Sequence, residues 1–232
     1  MILSNIFKYI SIDIKNNDGD TALIHATANG HKDIVKTLLE NKANINAKDK
    51  YGNTALIYAS FNGHKDIIKL LLKFKANINA KNNNGLSALM NASWNGHTEV
   101  IKLLLDNKAN IDAKNNYGST ALMFASIHNH KNIVKILRDN KANINIKDID
   151  GWTALIDASI SGYIGIIKIL LDNKANIHAK TNSGYTALMK ASYYGHIDIV
   201  KLLKNEHIRL IKVNIGNCFC SDINGIIAKY LY

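Results

Sequence analysis

Histidine and cysteine are the side chains here that could ligate a metal ion or move a proton, and the chain has nine of the first and two of the second. His31, His64, His97, His130 and His196 share one slot of a recurring pattern, each but His130 directly after a glycine. Zinc binding asks for a closed set of ligands at defined spacing. His128 and His130 form an isolated H-x-H, and Cys218 and Cys220 an isolated C-x-C, with no partner ligands at such a spacing. The in-register histidines therefore read as scaffold parts, recurring because the scaffold recurs. There is no glycine loop to cradle a phosphate, no nucleophile elbow, and no acid–base pair outside the pattern. The expectation is a chain that is not an enzyme, with no metal, no cofactor and no small-molecule substrate.

What positions these residues is a repeat. Gly19, Gly52, Gly85, Gly118, Gly151 and Gly184 follow one another at 33-residue intervals without a slip. Around each runs G-x-[TS]-A-L-[IM], then Ala-Thr or Ala-Ser, usually a Gly-His pair, an apolar helix and a closing A-N-I segment. The units are 16–48, 49–81, 82–114, 115–147, 148–180 and 181–213. The Thr of T-A-L is placed to cap a short first helix, its hydroxyl accepting from an orphan N–H two or three residues on. Gly63 then breaks the chain, and HKDIIKLLLKF supplies a second helix with Ile67, Ile68, Leu70, Leu71 and Leu72 on a broad apolar face. Asp33 and Lys36, Asp66 and Lys69, Glu99 and Lys102, and Asp198 and Lys201 are spaced for i,i+3 ion pairs worth about 0.2–0.5 kcal/mol each. A helix pair this small cannot bury its apolar face alone, so successive units must stack.

With this period, the series DGDTALIHATANGHKDIVKTLLENKANINAK resembles the ankyrin repeat, over residues 16–213. The resemblance implies an all-α solenoid of stacked helix-turn-helix units joined by hairpin-like loops. Two departures stand out. The family's T-P-L-H is T-A-L-I or T-A-L-M here, as at Ala55 and Ile57. The family's glycine after the second helix is Lys42, Lys75, Lys108, Lys141 and Lys174. Either these lysines take the left-handed conformation, at about 1–2 kcal/mol each, or the preceding Asn41, Asn107, Asn140 and Asn173 take it instead. Stability below that of an idealised array is expected.

Identity across the copies marks scaffold. The columns Leu23, Leu56, Leu89, Leu122, Leu155, Leu188 and Ala26, Ala59, Ala92, Ala125, Ala158, Ala191 read as core. Three columns vary instead. One holds Ala28, Phe61, Trp94, Ile127, Ile160 and Tyr193; another Asp18, Tyr51, Asn84, Tyr117, Asp150 and Ser183; a third Asp20, Asn53, Leu86, Ser119, Trp152 and Tyr185. The resemblance implies that these slots, the hairpin tips and the exposed end of the first helix, line one concave groove, with Tyr194 beside Tyr193. Contiguous apolar area rimmed by polar groups marks a binding surface, and Trp and Tyr are typical interface anchors. The predicted partner-binding set is Tyr51, Phe61, Leu86, Trp94, Tyr117, Ile127, Trp152, Ile160, Tyr185, Tyr193 and Tyr194. The competing reading is that some of these lie on their neighbours and thicken the core. Lys48, Lys81, Lys114, Lys147 and Lys180 close the units near the groove, where such a row would draw an acidic partner. Lys36, Lys69, Lys102, Lys135, Lys168 and Lys201 belong to the solvated back.

The net charge of +11 comes from 29 basic and 18 acidic residues, and only Arg138 and Arg209 are arginines. Abundant Lys, Asn and Ile without proline reads as the coding bias of an AT-rich microbe, parasite or large DNA virus. It argues against nucleic-acid binding, where bidentate arginine is the commonest specific reader. A lone C-x-C fits a reduced compartment. MILSNIFKYISIDIK has no continuous apolar run and reads as neither secretory signal nor membrane span. The expected location is cytoplasmic, with delivery into a host cell left open.

Residues 1–15 read as a capping half-repeat, with Leu3, Ile6, Phe7 and Ile10 at helical spacing and SIDIK matching the closing segment. Residues 214–232 end in SDINGIIAKYLY, with Ile223, Ile226, Ile227 and Tyr230 on one helical face. That tail reads as a cap on the last unit. Alternatively, it resembles the short F-box-like helix that ends some ankyrin proteins of poxviruses and intracellular bacteria, which implies a ubiquitin-ligase substrate adaptor. The leading Leu-Pro of that helix is missing. The expected function is protein–protein interaction by a monomer, through the groove.

Overall fold

The computed structural model describes residues 11–215. The helix expected within residues 1–10, the tail from 216 onward, and Cys218 and Cys220 lie outside the described residues. Six helix pairs follow one another. They are α1 (Ala22–Ala28) with α2 (Lys32–Glu40), α3 (Ala55–Asn62) with α4 (Lys65–Lys73), and α5 (Ala88–Trp94) with α6 (Thr98–Asp106). Then come α7 (Ala121–Ile127) with α8 (Lys131–Asp139), α9 (Ala154–Ser161) with α10 (Ile164–Asp172), and α11 (Ala187–Tyr193) with α12 (Ile197–Ile215). First helices pack on first helices and second on second, giving a two-row, all-α solenoid. Among the described residues a single isolated bridge, Lys81 to Ser87, represents β structure.

The first helices start where the hydroxyl column predicts. Thr21, Thr54, Ser87, Thr120, Thr153 and Thr186 each accept from the backbone N–H three residues on, at 3.3–3.4 Å. With Ala next and mostly apolar side chains, these helices bury most of their length: Leu56, Ala59 and Ile57 are at most 3 % exposed. The second helices are one-sided, burying Ile67, Ile68 and Leu71 in α4 and their counterparts in α6, α8 and α10. Core columns run the length of the array, and Leu23, Leu56, Leu89, Leu122 and Leu155 are all buried. Leu188 and Met189, in the last first helix, are more open, since no further helix pair covers them among the described residues.

The lysines, not the asparagines, take the left-handed conformation. Lys42, Lys75, Lys108, Lys141 and Lys174 have φ between 62° and 67°, while Asn41, Asn107, Asn140 and Asn173 have negative φ. The asparagines do a different job. Each side-chain amide donates to the carbonyl four residues back, as Asn107 does to Leu103 at 2.8 Å, a second bond to a carbonyl that also accepts the Asn107 backbone N–H. The four predicted ion pairs are two in fact. Asp66 meets Lys69 at 3.1 Å and Glu99 meets Lys102 at 2.8 Å. Lys36 instead meets Glu40 at 3.8 Å, because α2 alone offers a glutamate arm at i+4, and Asp198 and Lys201 form no ion pair among the described residues. Glu99 also meets Lys65 of the preceding pair at 3.0 Å. Held by Lys102 and then Lys65, its carboxyl falls to a pKa of about 2.

Four ladders clamp one unit to the next. Backbone N–H groups at the hairpins donate to the previous hairpin, Asn83 to Tyr51 at 2.9 Å and Ile149 to Tyr117 at 3.0 Å among them. Lys15, Lys48, Lys81, Lys114 and Lys147 each donate Nζ to the carbonyl of the lysine 33 residues on, at 2.6–3.1 Å. The closing lysines are thus rungs of the scaffold as well as a row of exposed charge. The amide or carboxylate of Asp13, Asn46, Asn79, Asp112 and Asn145 accepts the N–H of Asn44, Asn77, Asn110, Asn143 and Asn176 at 2.8–2.9 Å. Asp13 and Lys15 show SIDIK entering these ladders as a closing segment does.

The recurring histidines make the fourth. None caps its helix; Nε2 reaches back to the previous first helix, His64 to the carbonyl of Ala28, His97 to Phe61, His130 to Trp94 and His196 to Ile160, at 2.7–3.2 Å. The turn glycine makes room for the ring. At Gly63, φ is 76° and a Cβ would lie 2.7 Å from His97 Nδ1. The last second helix departs from the plan: α12 has 19 residues and runs on to Ile215, past the Lys204 where the leucine pattern fails.

Candidate functional site

The varying columns come together along the first-helix row. Tyr51, Phe61, Trp94, Tyr117, Ile127, Tyr185, Tyr193 and Tyr194 are exposed, from 43 % at Ile127 to 83 % at Tyr193. Leu86, Trp152 and Ile160 are half-buried, and Leu86 and Trp152 pack against the core. For those two the reading that they thicken the core is the better one. The slot alone does not decide this, since Ile160 shares the slot of Phe61 and is half-buried while Tyr185 shares that of Leu86 and is exposed.

The hairpin tips are held stiffly enough to present side chains. Asp49 Oδ1 accepts the N–H groups of Tyr51 and Asn53 at 2.9 and 2.7 Å, and Asn82, Asn115 and Asp148 do the same in their units. Tyr51 also carries Lys50 Nζ over its ring at 5.0 Å, and that lysine is paired with Asp18. Trp94 is steadied from the next unit, its ring centroid 5.2 Å from Phe124 and 4.5 Å from His128. Burial and then the charge of His130 hold the His128 imidazole below its usual pKa.

A further column belongs to this surface and was not singled out from the sequence. His25, Tyr58, Asn91, Phe124, Asp157 and Lys190 sit one turn inside each first helix, and several touch the predicted residues. Tyr58 donates to Asp49 Oδ2 at 2.7 Å. Burial, and then that bond, push its phenol up to about 12. Lys190 Nζ lies 4.0 Å from the ring centroid of Tyr185 and 5.2 Å from that of Trp152. No two members of the column are alike, so the variation that marked the other three would have found it.

Between α7 and α9 the surface sinks into a depression of about 360 Å³. Met123, Phe124, Ile127, Trp152 and Ile160 give it apolar walls, and Asp148, Asp150 and Asp157 put three carboxylates in them, with Ser119 beside. Burial, then the nearby charge of Asp148, raises the Asp157 carboxyl to about 7. Among the described residues, no three His, Cys, Asp or Glu side chains are grouped to hold a metal ion, and no helix is long and apolar enough to cross a membrane. The surface offers apolar contact, aromatic faces and fixed charges.

The family model for ankyrin repeats, in three copies, matches residues 2–82, 74–148 and 140–215. No close relative is found among curated proteins. Ankyrin repeats are protein–protein interaction modules and generally non-enzymatic. On the family match, with the two-row helical stack and its repeating ladders, the chain belongs to the ankyrin repeat family.

Proposed function

We propose that the chain binds a partner protein through the row of exposed side chains running from Tyr51 and Phe61, past Trp94 and Tyr117, to Tyr185, Tyr193 and Tyr194. One observation carries this: large aromatic side chains stand in solvent at slots where the fold asks for nothing, since Ala28 fills the slot of Phe61 and Asp18 that of Tyr51 in the first unit. Their identity varies between units while the core columns do not, as expected of a surface shaped to one partner. The exposed closing lysines add a positive edge that would raise the encounter rate of an acidic partner surface.

The test compares immobilised wild type with a Phe61→Ala, Trp94→Ala, Tyr117→Ala, Tyr193→Ala variant of equal helicity, as bait for protein fragments. Ligands held by the wild type alone are expected. Capture of the same set by both would refute the groove. A ubiquitin-ligase adaptor is the second reading, motivated by the D-I-x-x-I-I-A-x-Y-L spacing of the tail. It predicts that deleting residues 214–232 abolishes ligase-scaffold binding and leaves groove binding intact; loss of neither would end it.

A further inference from the structure

The depression between α7 and α9 carries a more specific reading, which rests on the groove proposal above. Its walls are mostly apolar, yet three carboxylates face it in a chain of net charge +11. Asp148 Oδ1 is occupied, accepting the N–H groups of Asp150 and Trp152 at 3.0 and 2.8 Å. Asp157 has no hydrogen-bond partner or counter-cation among the described residues. One unit on, the chain supplies a cation of its own: Lys190 holds the slot equivalent to Asp157 and lays its ammonium group against Tyr185 and Trp152. A lysine therefore fits this type of place, and between α7 and α9 none is provided.

We propose that this depression is the anchor pocket for one lysine or arginine side chain of the partner protein. The aliphatic stem lies along Met123, Ile127, Ile160 and Trp152, and the charged head meets Asp157 and Asp150. Long basic side chains combine those two chemistries, burying their methylenes while keeping the head at polar groups. An acidic side chain would meet like charge, and a purely apolar one would leave the Asp157 carboxyl covered without a partner. The walls thus select against both. The acidic character expected of the partner from the lysine row concerns a different edge of the array.

A random peptide library displayed on phage is selected against the wild type, Asp157→Asn, and the Phe61→Ala, Trp94→Ala, Tyr193→Ala variant. Peptides enriched on the wild type are expected to share a Lys or Arg beside apolar residues. Resynthesised, they should weaken about tenfold or more on Asp157→Asn, and equally when their basic residue is replaced by norleucine. Enriched peptides that need the exposed aromatics but lack a basic residue, or bind Asp157→Asn as well as wild type, overturn the anchor pocket and leave the groove standing. Peptides indifferent to loss of the aromatics overturn both.

Discussion

Replacing Asp157 by Asn should stabilise the array at alkaline pH and do little in acid. In the folded chain the Asp157 carboxyl is raised from 3.8 to about 7, by burial and then by Asp148. Between those values the folded state keeps a proton that the unfolded chain has released, so stability is full below about pH 4 and falls as pH rises toward 7. At about 1.4 kcal/mol per unit, the loss accumulated from about pH 5 to about pH 8 is ~2–3 kcal/mol. Asn has no charge to bury, so the variant escapes that loss. Ionisable groups common to both chains cancel in the difference. Urea unfolding of the two proteins at several pH values measures this, with Trp152 fluorescence in a Trp94→Phe background as a reporter inside the same unit. The stability gap should widen by ~2–3 kcal/mol across that range. A gap that does not change with pH would refute the assignment of a buried, uncompensated carboxyl.

Lys75→Gly should raise stability by about 1 kcal/mol, since the residue holds a φ of 66° that glycine adopts without a Cβ penalty; equilibrium unfolding checks it. His97→Ala should cost about 0.5–1 kcal/mol, because it removes the bond to the Phe61 carbonyl at a site open to solvent. Its effect should appear as lost coupling between the second and third helix pairs in hydrogen exchange. Ser159→Ala should cost about 1 kcal/mol through the bond from its hydroxyl to the Leu155 carbonyl. Ser60→Ala, at a buried hydroxyl with no partner, should be neutral or stabilising in the same denaturation assay.

The repeating half of this molecule was legible in the sequence because one geometric problem is solved again in each unit. A cap at Thr54 implied caps at Thr21 and Thr153, and the strict 33-residue glycine spacing fixed the register of everything between. Periodicity could not say which of Asn107 and Lys108 would turn left-handed, because both choices leave the pattern unchanged. In the fold Lys108 turns left-handed, while Asn107 keeps a negative φ and spends its amide on the Leu103 carbonyl. The candidate site was legible in outline, as columns that vary. Half-burial of Leu86 and Trp152 was not, because it depends on how each side chain packs against the core of the stacked array. Nor was the acidic depression, whose carboxylates come from three positions of one unit and whose facing apolar wall, Met123, Phe124 and Ile127, comes from the unit before.

The histidine ladder has one gap. Asn129 replaces the turn glycine with φ of 60°, and Tyr163 stands where the next histidine would be, so α7 and α9 are joined without that bridge. The hairpin amide rung made by Asn83, Asn116 and Asn182 is missing at the same junction, where the residue is Ile149. An array coupled only between neighbours parts first at its weakest joint. Under load, this one should separate into a block of four helix pairs and a block of two, with the acidic depression lying on the seam. A partner seated there would act as a rivet across the two blocks, so mechanical and thermal resistance would rise together on binding.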